Sequence, residues 1–299
     1  MGRIFYVSSM HGDDTNSGQT PEDAFRSLRK INQLEIQPGD QIFLERGSVF
    51  IGEYLHLYAG GTKEAPVVVD AYGEGALPRI EADGNGIWYQ NYGGHLDNVV
   101  HTWKGYLSSA VLLYDAEYIS IRNLEITNNP CIKNERLNQA DRMNRTGVSV
   151  IAQNHGTLHQ IELDHLYIHD VEGNIYDKHL NNGGIYMSVS RPDDEEKTGI
   201  ARYDGIHIHH CKVENCRRWG IAAGYTYQHD KFTTLELLDE IVKTYGSTNV
   251  VIEHNFVKDI GGDGITPMYC FEPLIQYNVS ENIAVDIHPD LYNDCLLYT

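Results

Sequence analysis

"IELDHLYI" (161–168) and "IHIHHCKV" (206–213) share a pattern that no helix produces, and "ISIRNLEI" (119–126) and "VVIEHNFV" (250–257) repeat it. Counted from each first residue, apolar or small uncharged side chains stand at offsets 0, 2, 5 and 7. They are Ile119, Ile121, Leu124, Ile126; Ile161, Leu163, Leu166, Ile168; Ile206, Ile208, Cys211, Val213; and Val250, Ile252, Asn255, Val257. The step from 0 to 2 is strand alternation, and the jump to 5 moves the inward phase by one residue, as a corner does. A fifth segment, "PLIQYNVS" from Pro273, keeps Ile275 at offset 2 and Asn278 at offset 5. Successive starts lie 42, 45, 44 and 23 residues apart. The last interval is a bare coil; the longer ones are a coil plus an inserted loop. Beyond each corner a second strand opens with glycine and a β-branched residue: Gly147-Val148, Gly184-Ile185, Gly220-Ile221 and Gly264-Ile265. Such matched intervals indicate a stacked solenoid, in which each coil buries its inward side chains against the next.

The N-terminal third continues the pattern in "IFLERG", "YLHLYAGG", "VVVDAYG" and "PRIEADG", short strands that end in or near glycine. "TPEDAFRSLRKINQL" (20–34) reads as a capping helix with Thr20 as N-cap and Pro21 at its first position. Ala24, Phe25, Leu28, Ile31 and Leu34 would form its apolar stripe. A second helix is expected over 235–246, with Leu235, Leu238, Ile241, Val242 and Tyr245 on one face and Gly246 at its end.

Composition narrows the partners. The 299 residues carry 42 acidic against 23 basic side chains, a net charge of −19, which excludes an electrostatic footprint for nucleic acid or anionic lipid. No apolar run approaches the roughly 20 residues that span a bilayer, and residues 1–9 lack the basic and apolar regions of a signal peptide. The expected location is cytoplasmic, or outside the cell with an export signal removed. Five cysteines without CxxC spacing read as free thiols. Twenty tyrosines, fifteen histidines and three tryptophans supply the aromatic faces and hydrogen-bonding edges that sugar-binding surfaces use.

"YVSSMHGDDTNSGQTPEDAFRSLRKIN", "IQPGDQIFLERG" and "VVVDAYGEGALPRIEA" resemble the opening of the right-handed parallel β-helix carbohydrate-active proteins of the pectate-lyase-like superfamily, and the resemblance runs through the coils to the C-terminus. It implies an all-β fold: one right-handed parallel β-helix over 1–299, with the capping helix at 20–34 and insertions at 170–183 and 226–247. It does not select one activity, since that superfamily includes lyases, hydrolases, epimerases and binders.

Register turns sequence into a contact map, because equivalent positions on successive coils stack about 4.8 Å apart. Asp263 stands eight residues past Asn255, and Asp286 eight past Asn278, so the two carboxylates fall on neighbouring rungs. Trp219 falls one coil earlier, 44 residues before Asp263. Carboxyl groups on adjacent rungs approach the roughly 5 to 5.5 Å of retaining glycosidases. The chain resembles the β-helix glycosidases of family 120, known for β-xylosidase activity, in pairing carboxylates on adjacent coils. That resemblance implies Asp263 as nucleophile and Asp286 as general acid, although the family's acid is a glutamate, one methylene longer.

Alternatives stand beside this reading. Stacked Asp side chains at a coil edge also satisfy turn backbone groups without any catalysis. "DIHPDLYND" (286–294) offers oxygens to Ca²⁺, the one cofactor the sequence suggests. A polysaccharide lyase would need a base, for which Arg217 and Arg218 are the available residues. A glycan-binding solenoid would need none. His207 and His209 point to one side of their strand, and His210 shares a corner position with Asn123, His165, His254 and Tyr277, a corner ladder more than a zinc site.

Candidate subsite residues are Trp219, stacking on a sugar face, His288 beside Asp286, and Tyr176, Asp177, His179 and Tyr186 from or near the loop "DVEGNIYDKHLNNGG" (170–184). The expected function is retaining hydrolysis of a plant-type or related glycan. "YNDCLLYT" carries no element that would cover the last coil, so a homo-oligomer interface or further coils are expected there.

Overall fold

The computed structural model of the protein describes residues 2–93, 103–130, 143–174, 180–233 and 236–285. Asp286, His288, Tyr176, Asp177, His179 and the "DIHPDLYND" segment lie outside the described residues, as do Leu235, Cys131 and Cys295.

Each coil contributes one strand to each of three parallel sheets, the arrangement of a parallel β-helix with the right hand that crossovers between parallel strands adopt. The first sheet has eight strands and includes, in spatial order, Ile119–Arg122, Thr157–Asp164, Arg202–His209, Thr248–Glu253 and Leu274–Gln276. The second includes Tyr167–Val171, Lys212–Cys216, Phe256–Ile260 and Val279–Ile283. The third includes Lys104–Tyr114, Arg145–Ala152, Gly183–Val189, Ile221–Thr226 and Ile265–Pro267. Ile119 pairs with Ile161, Ile161 with Ile206, Ile206 with Val250, and Ile252 with Ile275, which is the register read from the repeat.

All sixteen inward positions of the four full repeats are buried, and one apolar core runs from Phe5 to Ile265. Asn255 joins that core because its amide replaces backbone partners: Oδ1 accepts from Cys211 N at 2.9 Å and Nδ2 donates to Ile208 O at 2.9 Å. Asn278 repeats the arrangement one coil on, accepting from Asn255 N at 2.9 Å.

The corner before offset 5 is made by a residue in the left-handed region: Asn123 (φ 56°), His165 (49°), His210 (53°), His254 (56°) and Tyr277 (55°). That conformation costs an L-residue about 1–2 kcal/mol. Ring stacking offsets it: His165 on His210 at 4.8 Å, His210 on His254 at 5.2 Å, and His254 on Tyr277 at 4.9 Å between centroids. Ring pairs of this kind contribute about 0.5–1.5 kcal/mol each. The corner ladder is therefore the observed state of these residues.

The glycines that open the third-sheet strands are required by close approach. A Cβ on Gly184 would stand 2.5 Å from Val213 and 2.6 Å from the carbonyl oxygen of Gly220; one on Gly220 would stand 2.4 Å from that of Gly264.

Two helical expectations are corrected. Over 20–34 the chain forms a 3₁₀ turn, Pro21–Asp23, and a separate helix, Leu28–Asn32. Thr20 does cap the first, accepting from Asp23 N at 3.2 Å. Between them Phe25 pairs with the first strand, donating to Tyr6 O and accepting from Ser8 N, and that ladder displaces the helix. The apolar stripe still reaches the core, with Ala24, Phe25, Leu28 and Ile31 buried. The second helix is shorter than expected, Asp239–Tyr245, and buries none of its residues, so it rests on the surface.

Among the described residues no helix is long and apolar enough to cross a membrane. Cys211, Cys216 and Cys270 are free thiols, as expected.

Candidate active site

The turn between second and third sheets carries the residues of interest, and its backbone ladder fixes their order. Gly184 N donates to Trp219 O at 2.9 Å, and Gly220 N donates to Asp263 O at 2.9 Å. Gly183, Trp219 and Asp263 therefore occupy successive rungs of one column. The following coil keeps the 23-residue register as far as Ile283, which pairs with Ile260; beyond it the ladder slips by one residue, Val285 N donating to Ile260 O at 3.1 Å and Ala284 N to Gly262 O at 2.9 Å. The register was legible; the approach of Asp286 to Asp263 falls outside the described residues.

The Asp263 side chain is about a third exposed, and Arg218 lies against it, with Nη1 3.8 Å from Oδ2. Arg218 itself is buried, holds the left-handed conformation at φ 67°, and places its guanidinium over the Trp219 ring, 4.2 Å from the centroid. Gly262 makes room: a Cβ there would stand 2.2 Å from the Arg218 carbonyl oxygen and 2.9 Å from Nη1. The result is a positive charge beneath a solvent-facing carboxylate, its guanidinium in cation–π contact with Trp219. Arg217 turns elsewhere, with Nε 3.2 Å from both carboxylate oxygens of Glu172.

Two subsite expectations are corrected. Trp219 is only 3 % exposed: Arg218 covers its face and Tyr186 meets it edge-on at 6.2 Å, so it supports the turn from below and presents no open face to a sugar. Tyr186 is fully buried, stacked on Tyr225 at 6.2 Å. Tyr186, Trp219 and Tyr225 bury one another within the main core, and the described end of the inserted loop covers a neighbouring part of the same sheet, with Leu180 against Trp88, Leu112 and Ile151. Leu180, Asn181 and Asn182 are buried over the third sheet, where Asn181 accepts from Gln90 at 3.1 Å and from Ser188 at 2.7 Å. A strand exposed on one face in a bare coil is thereby covered on both. Of the two candidate bases for a lyase, Arg218 is buried and Arg217 is paired with Glu172.

The residue that sequence reasoning undervalued is Arg218 as partner of Asp263. A signal existed: Arg218 stands 44 residues before Gly262, so the coil register sets a glycine opposite an arginine beside the acidic position.

No family model matches the chain. A curated lacto-N-biosidase of Bifidobacterium longum is 38% identical over an alignment 327 positions long, gaps included, covering 97% of this chain and 20% of the relative. Two crystal structures of a GH136 lacto-N-biosidase from Eubacterium ramulus superpose with TM-scores of 0.94 and 0.93 at 52% and 51% identity. Each covers 98% of this chain, which spans 47% of the crystallised one. Over nearly its whole length the chain is thus similar to the β-helix portion of GH136 lacto-N-biosidases, while spanning half or less of each.

Proposed function

We propose that the protein is a glycoside hydrolase of the lacto-N-biosidase type. The observation that carries this reading is the 52% identity maintained over 98% of the chain with a shared fold. The relatives' activity supports a lacto-N-biose unit as the substrate group, in place of the plant-type, β-xylosidase-like substrate that the family 120 resemblance implies.

Within this reading Asp263 attacks the anomeric carbon and Asp286 protonates the leaving oxygen, then activates water, a double displacement with retention. The exposed carboxylate of Asp263, braced by Arg218, supports the first role; the 23-residue interval supports the second.

The test is hydrolysis of nitrophenyl lacto-N-bioside, nitrophenyl β-xyloside and uronate polymers by the wild type and Asp263→Asn. Turnover of the lacto-N-bioside is expected, with loss of about a thousandfold or more in the variant. Undiminished turnover by Asp263→Asn would move the nucleophile to another carboxylate. Unsaturated uronate product would replace hydrolysis by elimination. Binding of lacto-N-biose glycans without turnover would favour the glycan-binding alternative.

A further inference from the structure

The outer face of the first sheet carries a second cluster, on a different sheet from Asp263. Alternation sends Glu162, His207 and His209 outward, and pairing sets Glu162 beside His207 and Asp164 beside His209. A carboxylate oxygen of Glu162 and one ring nitrogen of each histidine all lie within 4.8 Å of one another. The cluster borders a groove of about 450 Å³ lined in part by Tyr118, Ser120, Glu162 and His207.

Three features go beyond an accidental gathering of polar groups. His209 Nε2 stands 3.3 Å from Glu162 Oε1. That is close to the edge of a tetrahedron whose metal–ligand bonds are about 2.0–2.1 Å. The other nitrogen of His209 faces two acceptors, Asp164 Oδ1 at 3.0 Å and His210 Nδ1 at 2.9 Å. A proton on Nδ1 satisfies them and leaves the Nε2 lone pair directed at the cluster, the carboxylate–histidine arrangement that orients metal ligands. Finally, Ser120 Oγ donates to Glu162 Oε2 at 2.5 Å, leaving Oε1 for the cluster, while Glu253 Oε1 anchors His207 at 3.0 Å from its Nε2.

We propose that Glu162, His207 and His209 form a binding site for a late first-row divalent cation, of which Zn²⁺ is the probe. Two imidazoles and one carboxylate are a borderline nitrogen–oxygen donor set, which suits Zn²⁺ and its neighbours better than Ca²⁺ or Mg²⁺. The cation ties the coil of Thr157–Asp164 to that of Arg202–His209 and so staples two successive turns of the solenoid. A neighbouring group, Asp164, His165 and His210, has similar spacing. It is the weaker site, because the His210 ring is stacked on both faces, by His165 and His254, and His165 Nδ1 is already held by Asp164 at 2.5 Å, whereas His207 and His209 stack only on each other, at 3.8 Å between centroids, and one ring turns to bring both nitrogens to the cation.

Equilibrium dialysis and thermal melts of the full chain with ZnCl₂ test this. The wild type is expected to bind one Zn²⁺ and to melt at higher temperature with it. Glu162→Gln, His207→Asn and His209→Asn should each weaken binding about tenfold or more, and Asp164→Asn by about tenfold through the orientation of His209. His165→Asn should bind like the wild type. Far-UV circular dichroism checks the fold of each variant. X-ray absorption of the wild-type complex, expected to show two imidazoles and oxygen ligands, reads the site without any substitution. The proposal is overturned if the wild type binds no Zn²⁺ below about 1 mM, if the His207 and His209 variants bind unchanged, or if the spectrum lacks imidazole.

Discussion

His56 is 6 % exposed, and its Nε2 lies 2.9 Å from the carbonyl oxygen of Ser109, so the ring is neutral and donates from Nε2. Burial lowers its pKa from 6.5 to about 4, against the smaller opposing pull of that carbonyl. As pH falls below 6.5 the unfolded chain takes up a proton that the folded chain refuses until about 4. The stabilisation is therefore complete above pH 6.5 and is lost through that window. At about 1.4 kcal/mol per pH unit, His56 alone removes about 2 kcal/mol between pH 6.5 and 5. Urea denaturation at pH 7 and pH 5 should show His56→Gln losing less stability on acidification than the wild type; equal losses would refute the assignment. Burial also raises the Cys211 and Cys270 thiols to about 12, so both should resist alkylation until the chain unfolds.

At the scale of elements, the glycine column sets how closely neighbouring coils approach. Gly220→Ala places a methyl against the carbonyl oxygen of Gly264 and the Val257 side chain, which stands 2.6 Å from the added Cβ. The expected cost is about 1–3 kcal/mol of overpacking. Because Gly220 N also donates to Asp263 O, the proposed function has the variant lose catalytic rate at temperatures where it remains folded. Calorimetry and kinetics together check this, and an unchanged melting temperature would contradict the packing argument. The column and the inward ladder were legible in sequence because both are periodic, and period survives loop insertion. What was not legible depends on contacts between distant segments. Phe25 leaves its helix to pair with Tyr6 and Ser8, and no local propensity encodes that partner. Trp219 and Tyr186 are buried by each other, by Tyr225 and by Arg218, contacts across coils that strand alternation does not encode. Arg218 reaches Asp263 only because a left-handed residue redirects its side chain, a direction that strand alternation does not predict.

Across the whole molecule, stability should follow the stacking of coils. Coils at Thr157–Asp164 and Arg202–His209 have neighbours on both sides, whereas the helix Asp239–Tyr245 buries none of its residues. In a solenoid each turn draws its stability from the adjacent ones. Amide hydrogen exchange should therefore be slower in those two strands than in that helix. Equal protection of strands and helix would contradict a nearest-neighbour account.

The coils between Ile161 and Ile206 and between Ile252 and Ile275 advance the axis by the same single rung, although one uses 45 residues and the other 23. Chain length and spatial advance are thereby uncoupled. Everything a coil adds beyond its bare turn is free to be exchanged for another loop, while the column of Trp219 and Asp263 keeps its pitch. A graft that swaps one loop for another thus leaves the frame that holds the carboxylate untouched.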